Sequence, residues 1–142
     1  MIENLETLIK VSKNKLDQKR KDLSQLLDKK DGINKEIQII DEQFQQEYEF
    51  LNKKGFDEVI FNSSMHIYRQ GIEFKKEKLN KRISELEPKI KKLSDEITEI
   101  FSEMKKYEQV KNIKITEMEK EIRKKQQIEI DEIAMTLYNR EN

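Results

Sequence analysis

A regular spacing of apolar side chains constrains this chain more than any other feature of its sequence. From Ile2, steps of three and four residues in alternation reach an apolar residue at eleven of fifteen positions. In a helix this spacing forms one apolar edge, and its persistence over about seven heptads predicts a coiled coil. We call this edge the seam. Its fifteen positions are Ile2, Leu5, Ile9, Ser12, Leu16, Lys19, Leu23, Leu26, Lys30, Ile33, Ile37, Ile40, Phe44, Glu47 and Leu51.

The second half of the chain repeats the pattern without a single exception. Its nine seam positions are Leu79, Ile83, Leu86, Ile90, Leu93, Ile97, Ile100, Met104 and Tyr107. After Tyr107 the phase shifts, which we interpret as a stutter. The apolar residues that continue on the shifted phase are Ile115, Met118, Ile122, Ile133 and Leu137. The chain is therefore predicted to be a single coiled-coil domain over residues 1–142, with helix one at about 2–52 and helix two at about 65–139.

Residues 53–64 are predicted to connect the two helices. Gly55 can adopt the left-handed conformation that ends a helix, and Asn62, Ser63 and Ser64 are candidate N-caps for the next one. Pro88 interrupts the second helix and is expected to bend it.

The charge distribution predicts an antiparallel arrangement. Residues 36–49 contain five acidic side chains and no basic one, while residues 10–21 contain six bases against one acid. If the chain folds back at residues 53–64, position i faces roughly position 116 − i. The acidic block then lies against residues 67–80, and the basic block lies against 95–106, where acidic residues cluster. Because flanking charges set helix orientation, we predict an all-α fold, a long antiparallel two-helix coiled-coil hairpin.

The same register leaves the C-terminal helix extending beyond the N-terminal one. Helix one is about 75 Å long at about 1.5 Å per residue, and its N-terminus lies opposite Lys114 in this register. Residues 115–140, which we call the overhang, are then predicted to project as a single helix that still carries apolar residues. A lone amphipathic helix is marginal in water, so the overhang is expected to bind a partner.

Composition argues against several classes of function. The 29 basic and 29 acidic residues balance, which disfavours nucleic-acid binding. No run of about 18 apolar residues predicts membrane insertion, the N-terminus lacks a signal-peptide pattern, and no cysteine is present. Nucleotide-binding and nucleophile motifs are missing, and the one histidine, His66, is interpreted as a helix-start residue. We therefore expect a cytoplasmic protein that is not an enzyme and that holds no metal or cofactor.

Seven of the ten aromatic residues lie between Phe44 and Phe74. One interpretation is a structural cluster at the end of the hairpin, formed by Phe50, Phe56, Phe61 and Tyr68. Another is a partly exposed binding patch that includes Tyr48, Tyr68 and Ile72, because aromatic residues often anchor interfaces. The two interpretations are compatible.

Three segments resemble the FliJ family of flagellar type III export proteins and its YscO-type counterparts in injectisomes. These segments are EQFQQEY at residues 42–48, SSMHIYRQGI at 63–72, and the C-terminal set of Gln127, Asp131, Glu132, Ile133 and Ala134. The chain departs from the family pattern at Gly71 and at Pro88.

The resemblance implies a stalk-like, non-enzymatic part of a protein export apparatus. It implies three protein partners: the hexameric export ATPase, the membrane-embedded export-gate protein and export chaperones. By the same resemblance, the export gate would be bound through Phe44, Tyr48, Tyr68 and Ile72. The ATPase would be bound through Ile115, Met118, Ile122, Gln127, Asp131, Glu132, Ile133 and Leu137. The protein would be cytoplasmic and peripherally associated with the membrane apparatus.

Two other functions fit a coiled-coil hairpin. A prefoldin-like chaperone subunit has a similar architecture, but residues 53–64 are short and lack the alternation of a β-hairpin. A structural coiled-coil scaffold is the third hypothesis.

Overall fold

The computed structural model describes residues 1–141 and contains two α-helices in this range, α1 (Ile2–Lys53) and α2 (Glu58–Glu141). The helices pack against each other, and α2 is the longer, with 84 residues against 52. The all-α prediction and the longer C-terminal helix are confirmed. By their contacts, residues 18–97 form one compact unit, and Met1–Asp17 forms another with the part of α2 that begins at Thr98.

In the unit of residues 18–97, ion pairs between the helices fix the antiparallel register. Lys19 Nζ lies 2.8 Å from Glu96, and Lys76 Nζ lies 2.8 Å from Asp41. The residue numbers of these pairs add to 115 and 117, within one of the predicted 116. The acidic block of α1 thus faces bases of α2, as the charge distribution predicted.

The other unit follows the same register. Lys111 Nζ lies 3.2 Å from Glu6, and these residue numbers add to 117. Leu16, with 2% of its surface exposed, is the most buried core side chain among the described residues. Ser12 and Met104 are also buried, so this unit closes around a narrow strip of the two helices.

The predicted seam is confirmed at most of its positions. Fourteen of the fifteen α1 positions and all nine α2 positions are buried or half-buried. The exception is Glu47, which is exposed, and Tyr48 takes its place. The sheltered positions of α1 advance by four residues twice in succession there, to Phe44 and then to Tyr48. An extra step of four locally unwinds a coiled coil. The predicted seam assumed strictly alternating steps of three and four, and it therefore placed Glu47 where Tyr48 lies.

The facing part of α2 has the same extra step of four residues. Its sheltered positions also advance by four twice, from Tyr68 to Ile72 and then to Lys76. After Tyr107, where a phase shift was predicted, Lys111, Lys114 and Ile115 are all half-buried. Lysine stems therefore continue the seam, since long basic side chains can cover apolar surface while the charge stays in water.

The predicted connection was too long, because α2 begins at Glu58. Only residues 54–57 lie between the helices. Gly55 has a φ of 70°, which confirms its predicted left-handed turn at the end of α1. The N-cap is Asp57, whose carboxylate accepts a 2.9 Å hydrogen bond from the amide of Val59. The predicted caps at Asn62, Ser63 and Ser64 were wrong: all three lie inside α2.

Asp57 is the cap because it directly precedes Glu58, the first residue of α2, and its side chain bonds the amide of Val59. Its backbone carbonyl also accepts the first helical hydrogen bond, from the amide of Phe61 at 2.8 Å. A cap normally makes both of these bonds. Pro88 lies within α2, and the helix continues on both sides of it. The bend expected there stays a prediction.

The Lys19–Glu96 pair predicts an acid-sensitive contribution to stability. The hydrogen bond and charge of Lys19 hold the pKa of the Glu96 carboxyl below its usual 4.5. Because the folded-state pKa is lowered, the stabilisation is present above pH 4.5 and is lost as the pH falls through the folded-state value. Glu96→Gln should therefore lower the free energy of unfolding at pH 7 and leave it unchanged at a pH below the folded-state pKa of Glu96, as measured by urea denaturation.

Glu99→Gln is the matched control, since Glu99 is exposed and forms no ion pair among the described residues. An equal loss of stability for Glu96→Gln at both pH values would contradict the pairing.

Candidate partner-binding surfaces

The overhang carries apolar side chains that no part of the described chain covers. Every residue from Thr116 to Glu141 is exposed. The apolar residues include Met118, Ile122, Ile128, Ile130, Ile133, Met135, Leu137 and Tyr138, each with more than half of its surface accessible. So many large exposed apolar residues on one helix indicate a protein–protein interaction site.

These side chains lie on two sides of the helix. With about 3.6 residues per turn, Met118, Ile122, Ile133 and Leu137 continue the direction in which Ile115 faces α1. We call these five residues the main face of the overhang. Ile128 and Met135 lie on the opposite side and are equally exposed. This separation gives matched pairs of residues for mutation.

The main face begins beside the N-terminus of α1. Lys114 Nζ lies 2.6 Å from the sulfur of Met1, the first residue of the chain. A shallow open depression at this join is lined by Met1, Ile2, Glu3, Lys114, Glu117, Met118 and Glu121. The prediction that the N-terminus of α1 lies opposite Lys114 is confirmed. Beyond Met118, the main-face residues Ile122, Ile133 and Leu137 are all exposed.

The polar residues of the C-terminal motif make only local contacts. Gln127 donates a hydrogen bond of 3.0 Å to Asp131, one turn later. The backbone carbonyl of Glu132 accepts a 2.9 Å hydrogen bond from the hydroxyl of Thr136. The side chains of Gln127, Asp131 and Glu132 therefore remain accessible on the helix surface.

Near the connection, four aromatic rings form a cluster between the helices. Phe44 stacks on Tyr68, with ring centroids 5.4 Å apart and planes inclined by 16°. Tyr48 meets Phe61, also at 5.4 Å, and Phe44 at 6.3 Å. Tyr68 donates a hydrogen bond to Glu47, which raises the pKa of the phenol above its usual 10.0. We call Phe44, Tyr48, Phe61 and Tyr68 the aromatic cluster.

The membership of this cluster corrects the predicted one. Phe61 and Tyr68 belong to it, but Phe50 and Phe56 are 58% and 54% exposed and take no part. Phe50 lies one residue before the seam position Leu51, and its ring is therefore turned away from the seam. Phe50 instead lies under the ammonium group of Lys54, 4.5 Å from the ring centroid.

The predicted gate-binding set is only partly accessible. Phe44, Tyr48 and Tyr68 are half-buried, so each keeps one edge at the surface. Ile72 is buried, with 9% of its surface exposed. Its predicted place in an exposed patch was wrong, because it fills the seam beside the aromatic cluster.

The sequence reading missed a second row of exposed apolar residues close by. Ile60, Ile67 and Phe74 are spaced by seven residues and have 58–70% of their surfaces accessible. Residues seven apart lie on the same side of a helix, so the three line one exterior edge of α2. Their seven-residue spacing is visible in the sequence, but they lie outside the seam from which the core was predicted.

No cluster for metal binding is present among residues 1–141. His66 lies within α2, and its Nε2 is 3.3 Å from the side-chain amide of Gln70. Within this described range, neither helix is long and apolar enough to cross a membrane.

Comparison with protein-family models, with curated proteins and with solved structures found no match.

The aromatic cluster predicts unequal effects of two Phe→Ala substitutions eleven residues apart. Phe61→Ala removes a buried ring that packs on Tyr48, and should lower the free energy of unfolding by about 3 kcal/mol. Phe50→Ala, at an exposed ring, should change it by less than about 1 kcal/mol. Urea denaturation followed by circular dichroism measures both values. Similar losses for the two variants would contradict the cluster.

Proposed function

We propose that this chain is a non-enzymatic, stalk-like component of a flagellar or injectisome type III protein-export apparatus. Its proposed partners are a hexameric export ATPase, a membrane-embedded export-gate protein and export chaperones. Its proposed place is the cytoplasm, at the periphery of the membrane-embedded apparatus. The sequence resemblance to the FliJ family motivates this assignment.

The observation that carries the proposal is the mismatch in helix length. The first residue of the chain lies against Lys114, while α2 continues to Glu141 with Ile122, Ile133 and Leu137 exposed. A helix in this state gains stability when a partner covers its apolar side. The lining of the central opening of a hexameric ring would offer such cover to the main face.

The proposed contact with the ATPase is the main face of the overhang, together with the join near Met1. Gln127, Asp131 and Glu132 add hydrogen-bonding groups that are free to meet a partner, because their present bonds are local. Apolar anchors within a polar surround are typical of specific interfaces.

The proposed contact with the export gate lies at the aromatic cluster. The exposed edges of Phe44, Tyr48 and Tyr68 would reach the gate, with Ile72 supporting them from below as a buried residue. Rings held on both sides are poor in rotational freedom, so little side-chain entropy is lost when a partner binds.

A prefoldin-like assignment is disfavoured by the connection. Prefoldin-type subunits carry β-hairpins between their helices, whereas residues 54–57 are the only connection here. A two-residue turn with two strands needs more chain than four residues supply.

The proposal predicts that the chain binds the hexameric export ATPase of its own system and stimulates its ATP hydrolysis through the main face. Ile122→Asp/Ile133→Asp should reduce the stimulation by about tenfold or more, because charged groups would have to be buried against apolar ones. Steady-state hydrolysis at increasing chain concentration measures the effect.

Ile128→Asp/Met135→Asp is the matched control, with the same new charges at equally exposed positions on the opposite side. Circular dichroism checks that both variants remain equally helical. Equal stimulation by the two variants would remove the main face from the site. If the unmodified chain neither binds nor stimulates the ATPase, the proposed function is wrong.

A further inference from the structure

The overhang has a charge pattern that is complementary to itself. Residues 120–125 are mainly basic, with Lys120, Arg123, Lys124 and Lys125 against Glu121, and after three uncharged residues Glu129, Asp131 and Glu132 form an acidic stretch. Within the described residues, the one ion pair of this segment is local, between Arg123 and Glu119 at 3.9 Å. The basic and acidic stretches therefore have charge available for a partner.

Part of this charge borders the main face. With about 3.6 residues per turn, Lys125, Glu129 and Glu132 lie along the same edge of the main face. Lys124 lies on the opposite side of the helix. Charges at the edge of an apolar interface meet their counterparts in the partner, as in the e and g positions of coiled coils.

We propose that two copies of this chain pair through their overhangs, antiparallel, with residue i of one copy facing roughly residue 255 − i of the other. This register places Ile122 opposite Ile133 and Met118 opposite Leu137 of the second copy. Every apolar residue that it pairs is exposed in the single chain.

The same register joins the opposite charges. Lys125 of each copy comes to lie beside Glu129 and Glu132 of the other, and the two-fold symmetry makes this contact twice. The apolar and the ionic matches are independent of each other, and both select a residue sum near 255.

A parallel arrangement is disfavoured by the same charges. It would place the basic stretch of one copy beside the identical stretch of the other, and like charges across an interface oppose association. Opposite charges also pair between the antiparallel helices of the single chain, where Lys19 pairs with Glu96 and Lys76 pairs with Asp41.

The self-association does not depend on the proposed function. It uses the main face, which is also the proposed contact with the ATPase, so the dimer and that complex would exclude each other.

The test uses charge reversal in the full chain. We expect the unmodified chain to form dimers whose dissociation constant rises with salt. Lys125→Glu alone, and Glu129→Lys/Glu132→Lys alone, should each raise that constant by about tenfold or more, because two attractive contacts become repulsive. An equimolar mixture of these two variants should form a heterodimer of near-original affinity. Sedimentation equilibrium measures each dissociation constant.

Lys124→Glu is the matched control, since it makes the same charge change away from the main face and should leave the dimer intact. Circular dichroism verifies helicity in every variant. The proposal is overturned if the unmodified chain is a monomer up to about 1 mM, if the charge reversals leave its dimer unchanged, or if the mixture fails to restore association.

The orientation is tested separately with cysteines, because the natural chain has none. Met118→Cys and Leu137→Cys proteins, when mixed and oxidised, should form a disulfide-linked heterodimer. Cross-linking of each variant mainly to its own copy would establish a parallel pair and overturn the proposal.

Discussion

The structure depends on one interaction, the burial of a narrow apolar seam between α1 and α2. An apolar side chain that is half removed from water contributes roughly 1 kcal/mol, and the seam repeats this gain about every three to four residues along both helices. An exposed ion pair contributes between about 0.2 and 1 kcal/mol. The seam therefore supplies the stability, while pairs such as Lys19–Glu96 and Asp41–Lys76 select the antiparallel register.

The proposed function depends on the point at which the seam loses its second helix. Up to Lys114, the apolar side of α2 is covered by α1; beyond it, Ile122 and Ile133 keep the same direction without cover. The overhang is thus prepared for association, since its apolar groups are already aligned on a helix. The two proposed occupants, a ring-shaped partner and a second copy of the chain, would compete for this one surface.

Sequence reasoning predicted the seam and its register because both follow from helical periodicity and from long blocks of like charge. It failed at the connection, where local geometry decides. Asp57 caps α2 through one carboxylate contact, but three consecutive capping residues at 62–64, of types as favourable as Asp, led to a predicted helix start seven residues too late. It also placed Glu47 in the seam instead of Tyr48, because a stutter depends on which ring meets Phe61 across the interface. The exposure of Ile72 was misjudged for the same reason.

Hydrogen exchange along α2, measured residue by residue at a concentration where the chain is monomeric, shows where α1 covers α2 and where it does not. Amides protected by the seam, such as those between Leu79 and Tyr107, should exchange slowly, near the rate of global unfolding. Amides between Ile122 and Tyr138 should exchange faster by orders of magnitude, as in an isolated helix. Uniform slow exchange from Glu58 to Glu141 would show that the overhang is covered within the chain and would contradict the account.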